Sequence, residues 1–221
     1  FPIPLLHRAI GFGTFAAAEM RTLDAILGYY AGLGLPARVE LAEDLAPARA
    51  ERLLRRAGFE REEETHRVHV LETDRPPRVP VVAGLRVGHP SPARFGRLVR
   101  AGFEADGALG DYFERASAAH VRQQPTRAIP LVATVDGADA GSALLWLTPG
   151  VAGLYSGSVL PEFRGRGIQV ALISLRVRLG LLRHRRVFTS QTEGDNASAH
   201  NLADVGFRPL YDTSYWIRET A

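Results

Sequence analysis

The residues of this chain best suited to chemistry are Arg164-Gly165-Arg166-Gly167, which stand between an apolar run ending near Leu160 and a helical pattern beginning at Ile168. Glycine has no Cβ, so the backbone there can take open conformations and a ligand can approach it closely. The first N–H groups of a helix have no partner inside the helix and carry the positive end of its dipole. Together these features make an anion site to which a diphosphate is suited. The dipole alone contributes about 0.3–1 kcal/mol at a surface. Several N–H bonds and the guanidinium groups of Arg164 and Arg166 must supply the rest. The plainer alternative is an ordinary turn with a glycine N-cap, and the strand–turn–helix setting favours the anion site over it.

Other chemistries are excluded or weak. The 221 residues contain no Cys, which removes disulfides, thiolate metal sites and a cysteine nucleophile. All 27 basic residues are Arg, so lysine Schiff-base chemistry and Walker-type phosphate binding are absent as well. Against the dinucleotide fingerprint, Gly165-x-Gly167-x-x-Val170 lacks the third glycine, and the position about 20 residues on is Arg185 rather than an acid. Gly11-x-Gly13-x-x-Ala16 fits better, but Thr14-Phe15 puts bulk at its mouth and no βαβ unit with a ribose acid accompanies it. His66 and His69 lie three apart on an expected strand and so on opposite faces, which disfavours a metal pair. His200 reads as a surface helix residue, and no metal site is expected. Trp146 and Trp216 read as packing residues.

The elements that must position the glycine turn are legible from spacing. Apolar residues make up 46% and charged residues 23%, a globular composition that can bury about 70% of its unfolded surface. Pro76, Pro77, Pro80, Pro90 and Pro92 with Gly84 and Gly88 mark a linker, placed at 76–88. Helices are expected over 93–102, 107–123, 168–182 and 197–205. Strands are expected over 131–135 and 143–147 around Asp136-Gly137, then over 154–160, 187–191 and 211–217. In the helix at 168–182, Ile168, Leu172, Leu175, Leu179 and Leu182 recur at spacings of three and four.

An internal repeat is also present. Laying Gly58-Phe59 on Gly206-Phe207 requires a shift of 148 residues, which places Val39 on Val187, Leu54 on Leu202 and 21–33 on 169–181 without a gap. Both halves then read helix, strand, short helix, Gly-Phe, strand. Only the second half has the glycine turn; where it has Pro161 to Ile168, the first has Gly13-Thr14-Phe15-Ala16-Ala17-Ala18-Glu19-Met20 at the same shift.

The net charge is +3, and a pI near 9.7 overstates the basicity because arginine titrates only at very high pH. Arg183-His184-Arg185-Arg186 reads as the solvated end of a helix, so no nucleic-acid partner is expected. No apolar stretch is long enough for a membrane span. The first twenty residues carry Pro2, Pro4, Arg8, Gly11 and Gly13, a poor pattern for a signal peptide, and a cytoplasmic location is expected. The chain opens on Phe1 rather than Met, which leaves room for a natural N-terminus further upstream.

The second half resembles the GNAT superfamily of acetyl-CoA-dependent N-acetyltransferases. That family's motif is Arg or Gln, two residues, Gly, one residue, then Gly or Ala, after a strand and a proline. Val159-Leu160-Pro161-Glu162-Phe163-Arg164-Gly165-Arg166-Gly167-Ile168-Gln169 matches it except at Gln169. The resemblance covers about 86–218, and the first half resembles a degenerate copy of the same fold's second portion. It implies an α+β fold: a GNAT-like mixed sheet flanked by helices, as a tandem of a degenerate half-domain (1–75) and a complete acetyl-CoA-binding domain (89–221). It implies that Gly157, Ser158 and Val159 pair through their backbone with the pantetheine arm. Arg164 and Arg166, with the amides of Gly165, Gly167, Ile168, Gln169 and Val170, would hold the diphosphate. Asn196 and Asn201, with Asp195 and Ser198 as further options, would flank the arm. Many members place a catalytic tyrosine four residues before the Gly of Gly-Phe, where this chain has Leu202. Tyr211 is then the candidate acid, with Tyr155 and Ser198 as alternatives. Glu193 is the candidate base, with Glu162 as an alternative. The implied activity is acetyl transfer from acetyl-CoA to an amine of a small molecule or peptide, by a monomer or homodimer. The first lobe would shape one wall of the acceptor pocket. The alternative is a non-catalytic module that senses acyl-CoA or a metabolite.

Overall fold

Glycine and proline set the breaks in this chain, and β-branched and leucine-rich runs fill the spaces between them. The computed structural model describes residues 7–219; Pro2 and Pro4, part of the N-terminal stretch read above, lie outside the described residues. In chain order the elements are β1 (Ala9–Ile10), α1 (Met20–Leu33), β2 (Ala37–Ala42), α2 (Ala48–Arg56), β3 (Glu60–Glu72), β4 (Leu85–Gly88), α3 (Pro92–Gly102) and α4 (Gly107–Gln123). There follow β5 (Ala128–Val135), β6 (Ala138–Leu147), β7 (Val151–Val159), a single tight helical turn (Pro161–Phe163), α5 (Ile168–Leu182), β8 (Val187–Glu193), α6 (Ala197–Val205) and β9 (Arg208–Arg218).

Two compact units share these elements. One is the chain up to Val68 with Thr192–Gly194 and the residues from Pro209 onward; the other is His69–Gln191 with Asp195–Arg208. This division does not follow the boundary expected at 76–88. Within that stretch Leu85–Gly88 forms a strand, paired antiparallel with β5 from Leu85↔Val135 to Gly88↔Val132. At the other end, β9 pairs with β2 from Ala37↔Arg218 to Ala42↔Thr213, so its residues count with the first unit. A strand is placed by the ladder that satisfies its backbone, not by its position along the chain.

In the first unit the strand order is β1-β2-β9-β3. Its core is Phe12, Leu23, Val39, Leu41, Leu54, Phe59 and Trp216 with their neighbours. Trp216 is 1% exposed, its Nε1 donates to Ser214 Oγ at 3.1 Å, and the Arg55 guanidinium lies 5.0 Å from its ring centre. The helix–strand–helix–Gly-Phe–strand order expected here is present as α1, β2, α2, Gly58-Phe59 and β3, matching α5, β8, α6, Gly206-Phe207 and β9.

In the second unit the order is β8-β7-β6-β5-β4. β5 and β6 are joined at Asp136-Gly137, both at positive φ (51° and 88°), the backbone of a type I′ hairpin. β6 and β7 pair antiparallel, and β7 pairs parallel with β8. Ile173 and Val177 of α5 pack with Leu145, Leu154, Phe188 and Leu202, while Ile168 and Leu172 pack with Leu131, Ala133 and Ala143. Serving two core clusters, α5 is buried around most of its circumference. The stripe expected from spacing therefore holds only in part: Ile168 and Leu172 are in the core, but Leu182 is 76% exposed at the helix end. No helix among the described residues is long and apolar enough to cross a membrane.

Candidate active site

The glycine turn is open. Gly165 (φ 75°) and Gly167 (φ 79°) both take the left-handed conformation that glycine adopts without strain. A Cβ on Gly165 would meet nothing within 4 Å, and one on Gly167 would meet only Val82 Cγ2 at 3.7 Å. Gly167 is the N-cap of α5, and no side chain caps the helix. The first turn closes with the Ala171 N–H donating to the Gly167 carbonyl at 3.0 Å. The N–H groups of Ile168, Gln169 and Val170 therefore have no acceptor within the helix. In the same unit α4 likewise has no side-chain cap at Asp106, whereas α6 and α3 are capped from within. Asn196 Oδ1 accepts from the N–H groups of Ser198 (2.9 Å) and Ala199 (3.1 Å) at α6, and Ser91 Oγ accepts from Arg94 N–H at 3.3 Å at α3.

The two arginines beside the turn are engaged elsewhere. Arg164 Nη2 donates to the Glu104 carboxylate, and its Nε donates to the Val159 carbonyl at 3.2 Å. Arg166 Nη2 donates to the Glu162 carbonyl at 3.3 Å, and its guanidinium lies 5.2 Å from the centre of the Phe163 ring. Glu104 carries no sequence signal for this role. It sits just past α3 at φ 51°, on the wall of a cleft of about 480 Å³ that Arg97, Arg100, Asp106 and Glu114 also line.

Strand β7 runs on toward the turn past its ladder with β8. Its pairs with β8 run from Val151↔Val187 to Leu154↔Ser190, whereas with β6 it is registered as far as Val159↔Gly141. Between these limits the ladder with β6 skips: Leu144 faces Tyr155, but Ser142 faces Ser158. Ser156 is held at φ 47° in this bulge, which re-aims the strand. Gly157 and Val159 are half-buried; Ser158 is buried, with Oγ 3.0 Å from Ser142 Oγ. An extended ligand joining Gly157 to Val159 as a strand would take over carbonyls that now accept from Gln169 and Arg164. Gln169, the departure from the motif, reaches this strand: its Nε2 donates to the Gly157 carbonyl at 3.4 Å, and its Oε1 is buried without a partner.

The remaining candidates divide between the units. Asn196 and Asn201 lie at the start and in the middle of α6, and the Asn196 carbonyl oxygen is committed to the cap. Leu202 is 3% exposed in the core, so the position of the family's usual acid is filled by packing. Tyr155 is 48% exposed on β7 beside the bulge. Tyr211 and Glu193 belong to the first unit, where Tyr211 is half-buried on β9. The ligand-bearing atoms of Glu193, Glu64 and His66 lie within 4.8 Å of one another, with His66 Nε2 3.4 Å from Glu64 Oε1. His66 is buried and its ring packs edge-on against Tyr215, whose hydroxyl pKa burial raises. Spacing alone gave no sign of this grouping, because Glu193 is distant in sequence.

The first glycine pair, weighed above as a dinucleotide fingerprint, is sealed. A Cβ on Gly13 would fall 3.2–3.3 Å from Ala50, Ala46 and Pro47, and α1 starts only at Met20 with Glu19 as N-cap. Its amides cannot serve a helix N-terminal anion site.

Solved structures share this architecture. A GCN5-related N-acetyltransferase from Kribbella flavida superposes with a TM-score of 0.72 at 16% identity, over 97% of this chain and 82% of the other. The chain has the GNAT fold. A tandem GNAT protein from the clavulanic acid biosynthesis pathway gives a TM-score of 0.67 at 20% identity, over 91% of this chain and 70% of its own. A GCN5-related N-acetyltransferase from Sphaerobacter thermophilus gives 0.66 at 21% identity over 84% of this chain; the match spans only 60% of that protein. No protein-family model and no curated protein matches the sequence.

Proposed function

We propose that this protein transfers an acetyl group from acetyl-CoA directly to an amine of a small molecule or peptide. The observation that carries this reading is the uncapped N-terminus of α5, approached by an open glycine turn at the end of β7, beyond its ladder with β8. The donor set fits the coenzyme: main-chain N–H groups for a diphosphate, then strand-edge amides and carbonyls for the two amide groups of pantetheine. The GNAT fold and the names of its solved relatives support the same reading.

In this account the N–H groups of Gly165 to Val170 hold the diphosphate, joined by Arg166 and by Arg164 once it leaves Glu104. The pantetheine arm runs back along Val159, Ser158 and Gly157, with Asn196 and Asn201 on its other side. The amine nitrogen attacks the thioester carbonyl carbon, the C–S bond breaks, and the amine proton ends on the base while the sulfur leaves as thiolate. A base takes the amine proton and an acid returns one to sulfur. Holding amine and thioester in register supplies much of the rate on its own. The shared element order of α1–β3 and α5–β9 supports an origin of the chain by duplication, with only the second copy keeping the glycine turn.

Release of free CoA across a panel of amines tests the reading. The chain has no Cys, so a thiol reagent reports released CoA without background from the protein. Amine-dependent release is expected. Tight acetyl-CoA binding with no turnover on a broad panel would instead mark an acyl-CoA-sensing module.

A further inference from the structure

Arg176 of α5 is a buried cation with no carboxylate partner among the described residues. It is 2% exposed. Its Nε donates to the Leu172 carbonyl at 3.1 Å, and its Nη1 is shared between the carbonyls of Leu144 (3.4 Å) and Tyr155 (3.3 Å). Leu144 and Tyr155 are the last paired residues before the β6–β7 ladder skips, so Arg176 holds the carbonyls at the edge of the bulge. A Cβ on Gly157 would fall 3.1 Å from Nη2 and 3.4 Å from Nη1, so the guanidinium lies directly against the strand backbone at that residue. Burial lowers its pKa to about 9, which still leaves it charged at neutral pH.

We propose that Arg176 is a positioning residue for acyl transfer: a fixed positive charge behind the β7 bulge that sets the bulge backbone and polarises the thioester carbonyl lying in front of it. The inference rests on the proposed function. If the diphosphate sits at the α5 N-terminus and the arm runs back along Val159 to Gly157, the acyl group arrives at Ser156-Gly157, where the bulge and the guanidinium meet. Negative charge develops on the carbonyl oxygen as the amine nitrogen adds, and then on sulfur as the C–S bond breaks. A cation held in a water-poor site, with no acid to neutralise it, favours both without reorganising during the reaction. Such a charge also compensates for a leaving-group acid position occupied by Leu202.

The test compares Arg176→Lys, which keeps a charge, with Arg176→Gln, which keeps a donor but no charge, in the full chain. The readouts are acetyl-CoA affinity by calorimetry, kcat, and the infrared stretch of carbonyl-labelled acetyl-CoA bound without amine. Work at about pH 6 keeps a buried lysine protonated more fully. The native protein is expected to shift the bound carbonyl to lower frequency. Arg176→Lys should keep most of that shift, and Arg176→Gln should lose it. A direct oxyanion donor contributes roughly 100- to 1,000-fold. A charge one layer behind is expected to contribute about 10- to 100-fold in kcat, with Kd for acetyl-CoA changed less than about threefold. Equal loss in both variants, or a native carbonyl frequency in Arg176→Gln, overturns the proposal and leaves the arginine a purely structural role. If the native protein itself does not bind acetyl-CoA, the functional reading fails first and this inference falls with it.

Discussion

Replacing Gly167 by Glu puts a carboxylate on the seat assigned to the diphosphate. Space is not the obstacle, since the new Cβ would touch only Val82 at 3.7 Å. Two effects then separate. The backbone stays at φ 79°, where an L-residue costs about 1–2 kcal/mol, so the melting temperature should fall by roughly 2–8 °C for a chain of this size. Charge repulsion acts only on the ligand. Two like charges about 4 Å apart at an effective dielectric near 20 repel by about 4 kcal/mol, close to three decades of affinity. Acetyl-CoA affinity measured by calorimetry should therefore weaken about 1,000-fold. Gly167→Ala carries the same strain without the charge and should weaken binding less than about tenfold. Native affinity in the Glu variant, or equal losses in Glu and Ala, would refute the assignment of the turn as the anion site.

Other perturbations follow from particular contacts. On the proposed assignment Glu104 would compete with the diphosphate for Arg164, so Glu104→Gln should tighten CoA binding a few-fold by calorimetry; the exposed pair itself contributes at most about 1 kcal/mol to stability. Leu202→Tyr, which restores the family's usual residue, should destabilise the fold by about 1–3 kcal/mol in urea titrations because the site is a filled core. It should give no gain in CoA release. The lowered pKa of Arg176 gives a definite sign with pH. Above about 9 the folded arginine begins to lose its proton while the unfolded one keeps it, so the unfolded state binds more protons and stability rises with pH. The cost of burying the charge is thus fully present below about 9 and relieved above it. Urea unfolding at about pH 8 and about pH 10.5 should show the native protein gaining stability relative to Arg176→Met.

Much of the positioning framework was legible from spacing and turn chemistry. The helix over 168–182 is found as α5, and the helices over 107–123 and 197–205 as α4 and α6, each with the expected ends. Their starts are set locally, by Gly167 before α5, by Gly107 and by Asn196. The hairpin at Asp136-Gly137 was likewise a local signal. What escaped was non-local. β4 lies inside the proline-rich stretch because its ladder partner, β5, is supplied by a distant segment. β1 is two residues long and exists only through pairing with β2. Arg176 lies one position from the expected apolar stripe of α5 and would pass for a surface arginine. Its burial is decided by the β7 bulge, where a serine takes a conformation that no composition rule assigns to it. The engagement of Arg164 by Glu104 was not legible either, since Glu104 comes from past α3's far end.

A crystal structure of the protein with CoA bound shows directly where the diphosphate sits. Diphosphate oxygens are expected within hydrogen-bond distance of the main-chain N–H groups between Gly165 and Val170, with the pantetheine arm beside Gly157 to Val159. A diphosphate seated anywhere else, with the glycine turn left to solvent, would contradict it.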